Sequence, residues 1–172
     1  MDYFGMPIGM WLLFCRSFRS HLVSVMGYDA SEAASISRKA RCRYKEIIRK
    51  LPEFDKRDRF MANEVSCAMF AAFILSMPGH PSLEKLTEYY AMSMMTEPMK
   101  WFCRKSGRQK FSEKDIRGMK ETASLRAADR NRYSWNMDFI EYEDGSGYEA
   151  RFTECGICTL MNELGLSYAT PA

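Results

Sequence analysis

The hydrophobic pattern of the first two thirds of the chain predicts helices. Asp29 followed three residues later by Glu32 is typical of a capping box, in which two side chains bond the free backbone donors at a helix start. That helix ends at Pro52, because proline cannot donate an intrahelical hydrogen bond. A second helix is predicted from Lys56 to Met77. It is apolar on nearly all sides after Val65, so we expect it to be the most buried element.

Two further helices are expected before the pattern changes. Ser82 can cap a third helix, whose apolar stripe runs to Met95. A short irregular piece containing Trp101 and Phe102 is expected after it, because a proline lies near the predicted helix end. Ser112 can cap a fourth helix that leads towards the final third of the chain.

The final third has the period of β-strands. Large apolar residues alternate with small or polar ones over 133–139 and again over 148–153, which is typical of strands with one buried face. The sequence Glu143-Asp144-Gly145-Ser146-Gly147 between them supplies a turn, so the pattern predicts an antiparallel hairpin. Residues 155–164 then predict a short helix that carries two cysteines and ends at Gly165.

These elements predict an α+β fold. A mainly helical N-terminal two thirds packs on a small antiparallel β-hairpin, and a short cysteine-bearing helix follows the hairpin. No internal repeat or low-complexity linker divides residues 1–172, so we expect a single domain, and 172 residues suffice for one sizeable core. The exposed edge of a two-stranded hairpin also offers a surface for forming a homo-oligomer.

Composition and charge exclude several classes of protein. A hydrophobic share of 47% and a charged share of 27% are ordinary for folded proteins. The net charge of +3 is too small to predict a nucleic-acid partner. A run of basic residues between Arg38 and Lys50 is interrupted by Glu46, and we interpret it as a solvated helix face.

Nothing in the sequence predicts secretion or a membrane span. The apolar stretch from Met10 to Cys15 follows no positive charge, and Pro7 and Gly9 interrupt a helix there. The apolar run Ala68 to Met77 is far shorter than the roughly 20 residues that a membrane helix needs. The six cysteines carry no disulfide signature in this setting, so we expect reduced thiols, a cytoplasmic location and no membrane partner.

One motif could carry chemistry: Glu154-Cys155-Gly156-Ile157-Cys158, where the second strand meets the last helix. Cys155 falls at the helix N-terminus, where free amides and the helix dipole favour a thiolate. Cys158 lies one turn further along the same side. Gly156 would leave the backbone N–H groups open to a carboxylate ligand.

Other interpretations of this motif stay open. Two inert core thiols in a tight strand-to-helix turn explain the spacing equally well, since cysteine is often buried. The motif lacks the partners of a zinc site, and no glycine-rich phosphate loop occurs, so no metal and no cofactor are expected. Trp135 and Asn136 could line a pocket beside the hairpin. The acidic residues of the second helix, Glu64 among them, are interpreted as ordinary surface or capping charges.

Several stretches together resemble a known family. They are Tyr133-Ser134-Trp135-Asn136-Met137, Phe152-Thr153-Glu154-Cys155-Gly156-Ile157-Cys158-Thr159-Leu160 and Glu163-Leu164-Gly165-Leu166, with Tyr44-Lys45-Glu46-Ile47-Ile48 in the helical part. They resemble the L-2-amino-thiazoline-4-carboxylic acid hydrolase family. Members of that family open a small cyclic amidine, the thiazoline ring of a cysteine-derived acid, with water.

The resemblance implies roles for individual residues. Cys155 would be the nucleophile or a polarising thiolate, and Cys158 would assist it or line the pocket. Glu154, Gly156, Trp135 and Asn136 would bind the small carboxylate substrate, with the helix N-terminus holding its carboxylate.

The family continues after its last helix into further strands, whereas this sequence stops at Ala172. We therefore expect the chain to be C-terminally incomplete relative to the family. The alternative function is a non-catalytic α+β module that binds a small molecule or dimerises.

Overall fold

The computed structural model of the protein describes residues 2–3, 6–52, 61–107, 112–128, 133 and 135–169. Over these residues it contains seven α-helices: Ile8–Ser24 (α1), Ala30–Ile48 (α2), Met61–Ile74 (α3), Leu83–Met94 (α4), Glu97–Ser106 (α5), Glu113–Ala128 (α6) and Gly156–Glu163 (α7). The strands are Asp2–Tyr3 (β1), Met6–Pro7 (β2), Asn136–Glu141 (β3) and Tyr148–Glu154 (β4), and a 3₁₀ turn spans Ser167–Ala169. The predicted α+β class is confirmed.

Local signals set the ends of several helices as predicted. Asp29 Oδ1 accepts hydrogen bonds from the backbone N–H groups of Ser31 and Glu32 at 2.7 and 2.8 Å. Glu32 Oε2 in turn accepts from the Asp29 N–H at 2.9 Å, which completes the capping box of α2. Ser82 Oγ accepts from the Lys85 N–H at the start of α4. Gly165 follows α7 with a φ of +71°, the left-handed conformation expected after a helix end.

Helix α3 lies at the centre of the fold, packed against α2 and α7. Every residue from Glu64 to Ile74 is buried, so the prediction that this helix is the most buried element is confirmed. The start predicted for it at Lys56 lies outside the described residues.

An aromatic group joins α3 to α1 and α4. The Phe18 ring of α1 stacks on the Phe73 ring of α3, with ring centroids 5.1 Å apart. The Tyr89 ring of α4 meets the Phe18 ring edge-on, with centroids 5.4 Å apart. The Tyr89 hydroxyl donates to the Phe18 carbonyl at 3.1 Å. A buried phenol thus satisfies its hydrogen-bonding need while its ring contributes apolar area to the core.

Two local predictions are wrong. Trp101 and Phe102 do not lie in an irregular piece but within α5, where both are exposed. Pro98 sits in the first turn of α5, where its missing N–H costs nothing because that donor has no intrahelical partner. Gly9 likewise does not interrupt a helix, since α1 begins at Ile8 and continues through it.

Strands β3 and β4 pair in antiparallel fashion. The register sets Met137 opposite Phe152 and Glu141 opposite Tyr148, with an irregularity between Asn136 and Met137. Helix α6 packs on β3, and Lys120 of α6 forms an ion pair with Glu141 at the far end of that strand. The predicted hairpin is confirmed, although β3 begins at residue 136 rather than 133.

Within the described ranges, no helix is both long enough and apolar enough to cross a membrane.

Candidate functional site

Cys155 lies at the junction of β4 and α7. It is the N-cap residue of α7, with extended backbone angles of φ −127° and ψ 103°, and its thiol makes no capping hydrogen bond. Its carbonyl accepts from the Thr159 N–H at 3.1 Å, the first hydrogen bond of the helix. The residue is half-buried. Its position at the helix N-terminus agrees with the sequence pattern.

Cys158 lies one turn along α7 and is exposed. Its thiol shares a hydrogen bond with Cys155, and this bond raises the pKa of Cys158 more than partial burial or the neighbouring charge does. Cys158 therefore keeps its proton to a higher pH than an ordinary cysteine, and its S–H group can act as a hydrogen-bond donor.

A third thiol, which the sequence interpretation missed, belongs to the same neighbourhood. Cys67 of α3 is buried, and burial raises its pKa to about 12, with smaller contributions from Cys155, Glu64 and Cys158. Cys67, Cys155 and Cys158 form what we call the cysteine cluster. Sequence offered no signal for Cys67, because it is one small residue within a long apolar run.

A buried ion pair lies next to the cysteine cluster. Glu64 of α3 is 0% exposed and Arg126 of α6 is 3% exposed. Their Oε2 and Nη2 atoms are 3.6 Å apart. The interpretation of Glu64 as a surface charge is therefore wrong. Because α3 is covered on all sides, its single acid is buried with it, and a buried carboxylate needs a cationic or hydrogen-bonding partner.

Gly156 is buried where three segments meet. A Cβ atom at this position would lie 2.0 Å from the Tyr133 carbonyl oxygen and 2.6 Å from Glu64 Oε1. Glycine is thus required here for the close approach of a backbone carbonyl. The first turn of α7 also has a carboxylate of the protein itself beside it, which the helix dipole favours. That a substrate carboxylate binds the same helix end stays a prediction.

The remaining predicted site residues lie together on the hairpin. Asn136 Nδ2 donates to Glu154 Oε2 at 2.6 Å, across the pair that these two residues form in the sheet. The Trp135 ring meets the Phe152 ring edge-on at 5.4 Å. Glu154 is exposed, whereas Trp135 and Asn136 are half-buried. Because Glu154 directly precedes Cys155, this polar pair lies beside the cysteine cluster.

Tyr133 connects this region to α7 through its side chain. Its hydroxyl donates to Glu163 Oε2 at 2.6 Å. Tyr133 therefore lies against both ends of α7, with its carbonyl close to Gly156 and its hydroxyl bonded to Glu163.

Four cavities of about 350 to 680 Å³ lie away from the cysteine cluster, the largest of the four between α2 and the end of α3 and another between α6 and β3. None of these four is lined by a predicted site residue. Within the described ranges, no group of three or more His, Cys, Asp or Glu residues has the arrangement of a metal site.

The fold and the site define an α+β protein with a pair of interacting thiols at a strand-to-helix junction. Comparison of the chain with protein-family models, with curated proteins and with solved structures found no match.

Proposed function

We propose that this chain hydrolyses a small cyclic amidine, in the manner of the L-2-amino-thiazoline-4-carboxylic acid hydrolase family that its motifs resemble. The observation that carries the proposal is the position of Cys155 as the half-buried N-cap residue of α7, one helical turn before Cys158. The free backbone N–H groups of a helix N-terminus favour negative charge beside them, and Cys158 carries an S–H group that can donate a hydrogen bond.

The reaction follows from ordinary thiol chemistry. The Cys155 sulfur adds to the amidine carbon of the thiazoline, and the bond from that carbon to the ring sulfur breaks. The proton of Cys155 passes to the departing ring sulfur, and the Cys158 S–H group relays it. Water then attacks the same carbon and releases Cys155, so the product is an open-chain carbamoyl compound with a free thiol. No oxidant or reductant is consumed.

The hairpin residues supply binding groups for this substrate. The Glu154 carboxylate, already oriented by Asn136 Nδ2, suits the exocyclic nitrogen of an amidine, because a carboxylate accepts charge-assisted hydrogen bonds from such groups. Trp135 offers an apolar wall beside this pair. All six cysteines are free thiols, which supports a reducing compartment such as the cytoplasm.

The direct test incubates the full chain with 2-amino-thiazoline-4-carboxylate and follows the product, heavier by one water, by mass spectrometry. Replacing Cys155→Ala should abolish turnover. Cys103→Ala is the matched control, because this exposed cysteine lies in α5, outside the cysteine cluster, and should leave turnover unchanged. Full activity in the Cys155→Ala variant would remove this thiol from the mechanism, and an inactive parent chain would end the hydrolase proposal.

A second candidate function is a non-catalytic module that dimerises through its hairpin. The observation in its favour is that Ile140 and Phe152 remain 44% and 45% exposed on β3 and β4. Sheet edges with exposed apolar residues can pair with a second chain. Under this function the purified chain is a dimer with no turnover, and replacing Ile140→Lys makes it a monomer. A chain that is monomeric at all concentrations excludes this candidate.

Thiol labelling reports on the cysteine cluster under either function. The hydrogen bond to Cys155 raises the pKa of Cys158, so labelling of Cys158 by iodoacetamide at pH 8 should be slower than that of a free cysteine. Cys155→Ala removes the bond, lowers the pKa of Cys158 and should speed its labelling severalfold at that pH. An unchanged rate would show that the two thiols do not interact.

A further inference from the structure

A different part of the molecule contains a concave, strongly basic site. A cavity of about 370 Å³ opens between α1 and α2. Arg16 and Arg19 line it from α1, and Arg38 and Arg41 line it from α2. We call this cavity the arginine groove. Residues three apart on a helix lie on the same side, so each pair of arginines forms a short stripe facing the groove.

The apolar part of the groove is formed by the core itself. Trp11 and Phe73 both line the cavity, and each is 2% exposed. The Arg41 guanidinium lies 5.1 Å from the centroid of the Trp11 ring, so a cation–π contact fixes one of the four cations in place. A side chain held in this way is suited to binding, because it loses less conformational entropy when a ligand arrives.

Within the described ranges, no carboxylate neutralises this cluster. None of the described residues that line the cavity carries a carboxylate. Among the residues that the structure describes, none of the four guanidiniums forms an ion pair with a carboxylate. The Cys15 thiol also lines the groove, but burial raises its pKa to about 12, so it is neutral at physiological pH. Four like charges therefore line one cavity, and the part of the chain that the structure describes supplies no counter-charge there.

The groove also contains a polar atom with an unmet hydrogen-bonding need. The Ser37 hydroxyl oxygen is buried, lines the cavity and has no hydrogen-bond partner within the described ranges. A buried hydroxyl without a partner carries a desolvation cost that a bound acceptor would remove. This observation is independent of the arginine charges and indicates a polar ligand in the same space.

We propose that the arginine groove binds the phosphate group of a small organic phosphate. Guanidinium groups match the oxygen pairs of phosphate in fork-like geometry, and a serine hydroxyl is a common further donor. Ligand pockets are typically about 300–1,000 Å³, so this volume has room for more than an inorganic ion. A neighbouring cavity of about 350 Å³ shares Arg16 and Arg19 and adds Val23 and Ala33, which suits an apolar part of the ligand.

The shape of this site favours a small molecule over a nucleic acid. The basic residues on the other side of α2, Lys39 and Arg43, line a separate cavity together with Glu32 and Glu46, so positive charge does not extend around the helix. Nucleic-acid surfaces rely on an extended basic stripe that follows the phosphate backbone.

The test measures binding of inorganic pyrophosphate and of glycerol 3-phosphate to the full chain by calorimetry, with sodium chloride adjusted to constant ionic strength. We expect saturable binding at one site per chain. The double variant Arg16→Gln with Arg38→Gln should weaken binding at least about tenfold, because each lost charge-assisted bond is costly. Lys39→Gln with Arg43→Gln is the matched control, with the same change in net charge, and should alter binding by less than about twofold.

A second pair of variants leaves the net charge unchanged. Ser37→Ala should weaken phosphate binding about threefold to tenfold, whereas Ser35→Ala, on the side of α2 that lines the other cavity, should not. Absence of saturable binding, or equal loss in the two double variants, would overturn the proposal. A third outcome would also overturn it. In that outcome, short single-stranded RNA binds more tightly than either phosphate compound, and both double variants weaken RNA binding equally.

Discussion

The close contact at Gly156 gives the most direct prediction about how the cysteine-bearing helix is held. In a Gly156→Ala variant, the new methyl group would begin 2.0 Å from the Tyr133 carbonyl oxygen, whereas real contacts of this kind are essentially never under 3.0 Å. The two segments must therefore move apart by at least 1 Å, the difference between these distances. The obstacle is backbone, so no side-chain rotation can relieve it.

The expected loss of stability follows from the packing around this residue. Overpacking a well-filled site costs about 1–3 kcal/mol, and a rigid backbone obstacle places this change near 3 kcal/mol. The same movement strains the 2.6 Å hydrogen bond from the Tyr133 hydroxyl to Glu163, which adds about 1 kcal/mol. Alanine has less backbone freedom than glycine in the unfolded chain, and this difference offsets about 0.4–1 kcal/mol of the lost stability. The net expectation is a loss of about 3 kcal/mol, or roughly 6–12 °C in Tm.

Urea denaturation followed by circular dichroism measures this change directly. Gly9→Ala is the control, because Gly9 also lies in the first turn of a helix but has no atom within 4 Å of the added methyl group. That variant should be more stable than the parent by about 0.5–1 kcal/mol. If Gly156→Ala unfolds at the same urea concentration as the parent, then α7 is not packed against Tyr133 and the described site is incorrect.

Two other changes probe the interior beside the site. Glu64→Gln should lower the free energy of unfolding by about 3 kcal/mol, because it removes the carboxylate that lies 3.6 Å from the buried Arg126 guanidinium. The double variant Glu64→Leu with Arg126→Met should cost less than the sum of the single variants Glu64→Leu and Arg126→Met. Strict additivity of these two single changes would contradict a coupled pair. The pKa of Cys67 rises from 9.0 to about 12 on folding, so stability should be unaffected by this thiol below pH 9 and should fall as the pH rises from 9 towards 12. Between pH 9 and 12, the urea midpoint should fall less steeply with pH in the Cys67→Ala variant than in the parent chain. Equal slopes in the variant and the parent would show that Cys67 does not titrate as described.

The sequence by itself determined the features that depend on a few neighbouring residues. The capping box at Asp29 and Glu32, the glycine after α7 and the alternation that forms the hairpin each act within one turn or one strand pair. Hydrogen-bond geometry and side-chain period are local, so the pattern alone suffices. Local information also misled at Pro98, because a proline ends one helix or begins another with similar ease.

Only the tertiary structure decided which groups meet. Glu64 looked like a surface charge until α6 brought Arg126 against it, and Gly156 looked like an open helix start until the Tyr133 carbonyl lay on it. The arginine groove likewise exists only because α1 and α2 pack side by side and turn their arginine stripes towards one space. Burial and charge convergence depend on segments far apart in the chain, whose contacts are fixed by packing of the whole core rather than by local pattern.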